Sequence, residues 1–111
     1  MTDVEFPPPG PARDRLVSEM LGWKWHGVLC WDGPKIRCPS LIDADALAAL
    51  EAWRQGGPLR NYRILSPMGL TLDWSVTLFV HDALAAEWDA PTLCDAASAA
   101  LARWALDRRQ G

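Results

Sequence analysis

The chain lacks several features that would assign it to a class at once. No uninterrupted apolar run approaches the roughly 18 residues of a membrane-spanning helix, and the acidic N-terminus has no basic start of the kind that opens a secretory signal. We therefore expect no membrane segment and no signal peptide. Cysteine is scarce, with 3 copies, and an odd number argues against a disulfide framework and for a reducing compartment.

A strong excess of one charge is also missing. The 11 basic and 14 acidic residues give a formal net charge of -3 and are scattered along the chain. No basic stripe is present to neutralise a phosphate backbone, so direct nucleic-acid binding is not expected. The glycine-rich phosphate motifs and the G-x-S-x-G element of hydrolases are absent as well. We predict no catalytic residues, no cofactor and no metal.

Tryptophan is the residue that the chain has in excess. Its 111 residues are 50% hydrophobic and 23% charged, and they include 7 Trp beside 1 Tyr and 2 Phe. This composition is typical of a folded domain, and the length fits one domain. We predict a Pro-rich flexible arm at residues 1–11 and a single domain at residues 12–108.

Apolar periodicity and turn residues divide this domain into helices and strands. Helices are predicted at residues 12–21, 40–55 and 91–108. Gly22 is expected to end the first helix, and Asp43 or Ser40 to cap the start of the second.

Strands are predicted at residues 23–31, 36–38, 61–65, 70–81 and 83–88. The segment 70–81 carries the clearest signal, because six apolar residues alternate strictly with other residues along it. We expect it to form a hairpin with residues 61–65.

Short segregated helices and antiparallel hairpins predict an α+β fold. The expected architecture is an antiparallel sheet of about four strands with three helices packed around it, an α-β-α sandwich in a single domain.

Several short motifs, in order along residues 12–105, resemble the phage ABA sandwich domain family. The motifs are Met20-Leu21-Gly22-Trp23-Lys24, Pro39-Ser40-Leu41-Ile42-Asp43, Trp74-Ser75-Val76, and an Ala-rich helix after Thr92-Leu93. The resemblance implies a small phage or prophage protein with helices around an antiparallel sheet. It implies no catalytic residues, because none are known for the family.

The tryptophans divide into two groups by their place in the pattern. Trp53 and Trp104 lie on apolar stripes of helices, and Trp74 lies on the inner face of the strand 70–81, so all three are expected in the core with Trp23 beside them. The remaining three, Trp25, Trp31 and Trp88, are candidate protein-interaction residues, since exposed Trp is enriched at protein interfaces. The competing interpretation is that all seven fill the core.

A second class of function remains open on the residues His26, Cys30 and Cys38. They carry atoms that bind metals, and His26 and Cys30 fall on one face of the predicted strand 23–31. Their spacing differs from the closely paired Cys and His of zinc sites, and buried free cysteines are the better explanation. The alternative is a small-ligand-binding or metal-binding accessory protein.

The sequence thus favours a phage-encoded, non-enzymatic protein-interaction module in the host cytoplasm. Its partner would be a host or phage protein, and a sharper version is an inhibitor of host defence such as an anti-CRISPR protein. A third class is a homo-oligomer in which the exposed Trp residues bury one another.

Overall fold

The computed structural model describes residues 6–27, 29–68 and 72–110. Its elements are α1 (Pro11–Leu21), β1 (Lys24–His26), β2 (Leu29–Asp32), β3 (Lys35–Arg37), α2 (Asp43–Gln55), β4 (Arg60–Leu65), β5 (Trp74–Val80), β6 (Ala83–Ala90) and α3 (Leu93–Gln110). The predicted α+β class, the single domain and the three helices are confirmed. The prediction of one sheet of about four strands is wrong, because the described residues form two sheets of three antiparallel strands. We call β1-β2-β3 sheet 1 and β4-β5-β6 sheet 2.

The strand predicted at residues 23–31 is two strands. The chain reverses between His26 and Leu29, which are paired across β1 and β2, and Gly27 there has a φ of 61°. Glycine adopts this left-handed conformation without steric cost, so a hairpin turn forms where the alternating pattern indicated continuous strand. A second turn, at Gly33 with a φ of 60°, returns the chain as β3, which agrees with the prediction for residues 36–38.

The strand predicted at residues 70–81 is shorter at its start. Residues 69–71 lie outside the described part of the chain, and Leu72 is exposed and outside the strand. The strand β5 begins at Trp74 because both neighbouring strands stop there, with Leu65 opposite Ser75 and Ala90 opposite Trp74. The predicted hairpin with residues 61–65 is confirmed.

Residues 83–88 form a strand despite their alanine content. His81 and Asp82 join β5 to β6 with φ values of 54° and 64°, which is the twist that suits a two-residue hairpin turn. Pairing across the turn therefore overrides the helix propensity of alanine, as predicted for this segment.

The order of layers differs from an α-β-α sandwich. Helix α1 packs on β1 and β2 of sheet 1 and also on α3, and α3 packs on α2 and on β5 and β6 of sheet 2. In the described residues each sheet therefore packs mainly on helices, and the helices connect the two sheets.

Helix α3 is the centre of this arrangement. It contacts α1, α2, β5 and β6, and it is buried on nearly all sides over its first four turns because most of its side chains are small. The buried small residues are Cys94, Ala96, Ala97, Ser98, Ala99, Ala100, Ala102 and Ala105. No helix in the described residues is both long and apolar enough to cross a membrane, α3 included.

The large apolar side chains of the core come from the neighbours of α3 and from a few positions on it. Trp53 and Trp104 are buried and meet edge to face, with ring centroids 5.5 Å apart. Trp23 and Trp74 are half-buried against the same core. The prediction of a core position is therefore confirmed for Trp53 and Trp104, whereas Trp23 and Trp74 pack against the core and are only partly buried.

The helix ends show one predicted cap and one correction. Gly22 ends α1 in the left-handed conformation, with a φ of 78°. The residue that precedes the first turn of α2 is Ile42, which donates no side-chain cap, so Asp43 and Ser40 do not cap α2. The Asp43 carboxylate instead accepts a hydrogen bond of 3.0 Å from the backbone N–H of Cys94, and it joins the start of α2 to the first turn of α3.

The Pro-rich segment contacts the domain where the structure describes it. Phe6 stacks on Trp88 with ring centroids 4.6 Å apart, and the Pro7 carbonyl accepts a hydrogen bond from the Arg13 side chain. Residues 1–5 of the predicted flexible arm lie outside the described residues.

Enlarging a small residue of α3 should destabilise the domain. We expect Ala100→Leu to lower the free energy of unfolding by about 1–3 kcal/mol, because α3 is closed in by α1, α2 and sheet 2 and the added atoms must displace them. The matched control is Ala44→Leu on the exposed side of α2, which should change it by less than about 0.5 kcal/mol. Urea unfolding followed by circular dichroism measures both, and equal effects would contradict the described packing.

Candidate protein-binding face

The outward face of sheet 1 combines apolar and basic side chains. Trp31 lies directly between Lys24 on β1 and Ile36 on β3, and His26 lies opposite Leu29. Residues opposite one another on antiparallel strands project to the same face. We call these five residues the Trp31 face.

The Trp31 face is open to solvent. Leu29 is 40% and Ile36 is 48% exposed, Trp31 is half-buried, and Lys24 and His26 are exposed. None of these five residues belongs to the core of the domain or packs against it. Three neighbouring apolar side chains thus remain accessible on a face that the rest of the fold does not use.

The opposite face of sheet 1 is held against the helices. Trp25 lies opposite Cys30, and Cys30 lies opposite Arg37. The Arg15 guanidinium of α1 lies 4.5 Å from the Trp25 ring centroid, and Cys30 is buried. Arg37 donates to the Asp45 carboxylate of α2 at 3.0 Å. The Trp31 face is therefore presented by a sheet whose inner side is fixed.

Buried carboxylates anchor the segment that follows sheet 1. Asp45 accepts a 2.8 Å hydrogen bond from the backbone N–H of Cys38, and Asp14 of α1 accepts one of 2.8 Å from the N–H of Ser40. The Ser40 hydroxyl in turn accepts from the N–H of Gly10. These bonds satisfy backbone groups that burial would otherwise leave unpaired, and they tie β3 to α1 and α2.

The charge of the Trp31 face is opposite to that of the whole protein. Lys24 and His26 are its polar members, and no carboxylate is among the five residues. The chain as a whole has a formal net charge of -3. A surface of this kind complements an acidic partner surface that also carries apolar groups.

Of the three tryptophans predicted as interaction residues, the structure places only Trp31 on an open sheet face. All three are half-buried. Trp25 lies on the inner face of sheet 1 beneath Arg15, and Trp88 is covered by Phe6. The expectation that Trp25 and Trp31 share a strand face is wrong, because the turn at Gly27 puts them on opposite faces.

The turn at Gly27 also separates the candidate ligands of the alternative function. His26 lies on the outward face of sheet 1, whereas Cys30 lies on its inner face, so the predicted common face of these two residues is wrong. In the part of the chain that the structure describes, no three His, Cys, Asp or Glu side chains come together as a metal site would require.

The thiols are also poor nucleophiles. Burial raises the pKa of Cys30, of Cys38 and of Cys94 above the usual range of a thiol. At neutral pH each therefore carries its proton, and the thiolate is the reactive form.

The sequence pattern indicates Trp31 as an interaction residue, but it does not indicate the other residues of the Trp31 face. It places Leu29 and Ile36 in strands without indicating that they share an exposed surface, and it gives Lys24 no distinguishing mark. The available signal was the turn at Asp32-Gly33-Pro34, which implies that β2 and β3 pair and that Trp31 and Ile36 come side by side.

Comparison of the chain with protein-family models, with curated proteins and with solved structures gives no match. The site is therefore interpreted from its own geometry and charge.

The burial of Asp14 predicts a pH dependence of stability. Burial raises the pKa of Asp14, and the hydrogen bonds from Ser40 and the nearby Arg13 oppose this effect. An aspartate in an unfolded chain has a pKa of about 3.9. Below that pH, a carboxyl whose pKa is raised by folding contributes its full stabilisation to the fold. That contribution is lost as the pH rises through the folded pKa.

We therefore expect Asp14→Asn to gain stability relative to the wild type as the pH rises above about 4, by about 1.4 kcal/mol for each unit of difference between the folded and unfolded pKa. An asparagine oxygen can still accept the Ser40 N–H. Urea unfolding across this pH range measures the difference, with Asp82→Asn in the exposed β5–β6 turn as the matched control. A difference that stays constant with pH for Asp14→Asn would contradict the role of burial.

Proposed function

We propose that this protein is a phage- or prophage-encoded protein-interaction module that acts in the host cytoplasm by binding a partner protein rather than by catalysis. The observation that carries the proposal is the Trp31 face. It brings Leu29, Trp31 and Ile36 together on an open sheet face, next to Lys24 and His26.

The physical basis is the composition and the rigidity of this face. Tryptophan supplies a large apolar area and one hydrogen-bond donor, and it is enriched among residues that dominate binding energy. Because the inner side of sheet 1 is fixed to α1 and α2 through Trp25 and Arg37, binding orders few additional groups. A preorganised surface loses less entropy on association.

The partner surface is expected to be acidic with apolar groups at its centre. Lys24 and His26 would face its carboxylates, and the three apolar side chains would fill the middle of the contact. The same charge disfavours a symmetric dimer through this face, because Lys24 of one copy would approach the basic residues of another.

The phage origin and the sharper proposal of a host-defence inhibitor are supported by the resemblance of the motifs around Gly22-Trp23-Lys24 and Trp74-Ser75-Val76 to the phage ABA sandwich family. A small rigid domain with a protein-binding face is suited to inhibiting a larger effector by covering part of the effector's surface. An anti-CRISPR protein, directed at an RNA-guided effector complex, is the specific form of this proposal. The alternative of a ligand or metal site on His26, Cys30 and Cys38 has no geometric support, since these residues do not converge.

Photo-crosslinking in bacterial cells tests the binding face even while the identity of the partner is open. A benzophenone amino acid at Ile36 should crosslink to one defined protein. The matched control is the same amino acid at Leu84, which is exposed on the outward side of sheet 2 and should not reach that protein. Equal crosslinking from both positions, or none from Ile36, would refute the proposal, and a crosslink to a second copy of the chain would identify a homo-oligomer instead.

Substitution then measures the contribution of the face to affinity. Trp31→Ala should weaken binding to the crosslinked partner by about thirtyfold or more, the loss of at least about 2 kcal/mol that marks a dominant interface residue. Leu84→Ala should leave binding unchanged, and both variants should fold. Co-migration of purified protein with a CRISPR effector complex on a sizing column tests the anti-CRISPR form, and absence of a complex would count against that form alone.

A further inference from the structure

A cleft separate from the Trp31 face opens where the ends of the three helices meet. Its volume is about 440 Å³, within the range of small-molecule sites. Residues from α1, α2, α3 and the start of β4 line it. Its charged and aromatic members are Glu19, Arg60, Trp104, Arg108 and Arg109.

Two of these arginines lie on one indole ring. The guanidinium carbon of Arg60 is 4.8 Å from the Trp104 ring centroid, and that of Arg108 is 4.6 Å from it. Cation–π attraction holds each guanidinium to the ring, and both guanidiniums line the same cleft. Burial, and then the charge of Arg108, lower the pKa of Arg60. Burial and the like charge of Arg108 therefore both disfavour the charged form of Arg60, and an anion bound nearby would favour it.

The cleft holds more positive than negative charge. Three guanidiniums line it against one carboxylate, Glu19, which bonds Arg109 at 2.6 Å and Arg15 at 2.9 Å. Among the described residues, neither Arg60 nor Arg108 has a carboxylate within 4.0 Å. An excess of two positive charges in one cleft is notable in a chain whose formal net charge is -3.

Arg60 also has a structural role, which Arg108 does not share. The Arg60 guanidinium donates to the carbonyl of Trp53 at 3.0 Å near the C-terminal end of α2, and it lies 5.4 Å from the Trp53 ring centroid. Helix capping thus explains one of its donors. Arg108 is exposed near the end of α3, and packing on Trp104 leaves its N–H donors without a protein acceptor among the described side-chain bonds.

We propose that this cleft binds a small phosphate dianion, free or as a phosphate monoester, with Arg60 and Arg108 as its ligands. Two guanidiniums offer the forked N–H donors that pair with phosphate oxygens, and a dianion neutralises the excess charge of the cleft. Met20 and Ala52 line the same cleft and provide an apolar wall for the organic part of an ester. The proposal does not depend on the Trp31 face.

Calorimetric titration with inorganic phosphate and with glycerol 3-phosphate, at constant ionic strength in chloride, tests this site. We expect saturable binding of at least one of the two by the wild type, and at least about tenfold weaker binding by Arg108→Gln, the loss that one charge-assisted hydrogen bond implies. Tighter binding of glycerol 3-phosphate would identify a monoester, and tighter binding of phosphate the free ion. Either result supports the site.

The matched control is Arg103→Gln, which removes the same charge from α3 at an exposed residue paired with Asp107 outside the cleft. It should bind as the wild type does, and Arg108→Lys should recover part of the lost affinity. No saturable binding to the wild type, or equal weakening by Arg103→Gln and Arg108→Gln, would overturn the proposal. Arg108→Gln should still bind the partner of the Trp31 face, which separates failure of this site from failure of the proposed function.

Discussion

The close approach of four elements to α3 is the constraint on which the structure depends. A short chain can pack two sheets and two further helices around α3 only if the side chains of α3 are small. Most buried side chains of α3 are alanine or serine, so the neighbouring elements can come near its backbone on almost every side. Large side chains of the surrounding elements, Trp53 above all, fill the space beside these small residues together with Leu101 and Trp104 of α3 itself.

Polar contacts fix the orientation of the elements that this packing brings together. Arg13 is buried and bonds Asp95 and Ser98 of α3 as well as the carbonyl of Pro7, and Asp43 joins α2 to the start of α3. A buried arginine without such partners would be strongly destabilising. These contacts specify which end of α3 lies against α1. Apolar packing on small residues alone would not determine the direction of α3 relative to α1.

Elements with a local signal were predictable, and those that depend on pairing were not. The helix ending at Gly22 and the hairpin between residues 61–65 and 70–81 follow from periodicity and turn residues that lie next to one another in the chain. The turn at Gly27 interrupts an otherwise regular alternation, and a single glycine does not distinguish a hairpin from a bulge. This one position decided the face of Trp25, Trp31, His26 and Cys30, so every inference from their parity failed together.

The candidate sites differ in the same way. Trp31 could be found from its type and its place beside a turn, but its neighbour Ile36 follows only from the register of β2 and β3. The cleft of Arg60 and Arg108 joins residues far apart in the sequence, and no spacing rule relates them. Arg108 lies one helical turn after Trp104 on α3, so their contact follows from the i,i+4 spacing of a helix. Arg60 reaches the same ring from the start of β4, and nothing in the local sequence indicates this contact.

The outward side of sheet 1 lies apart from the core, and this separation has an evolutionary consequence. Leu29, Trp31 and Ile36 are absent from the buried cluster that surrounds α3, so we expect substitutions at these positions to change the outward surface of sheet 1 with little change in the free energy of unfolding. If this face binds a partner as we propose, selection for a new partner can act on three short strands while the alanine-rich helix α3 is retained. The binding specificity proposed for this face could then diverge while the fold is conserved.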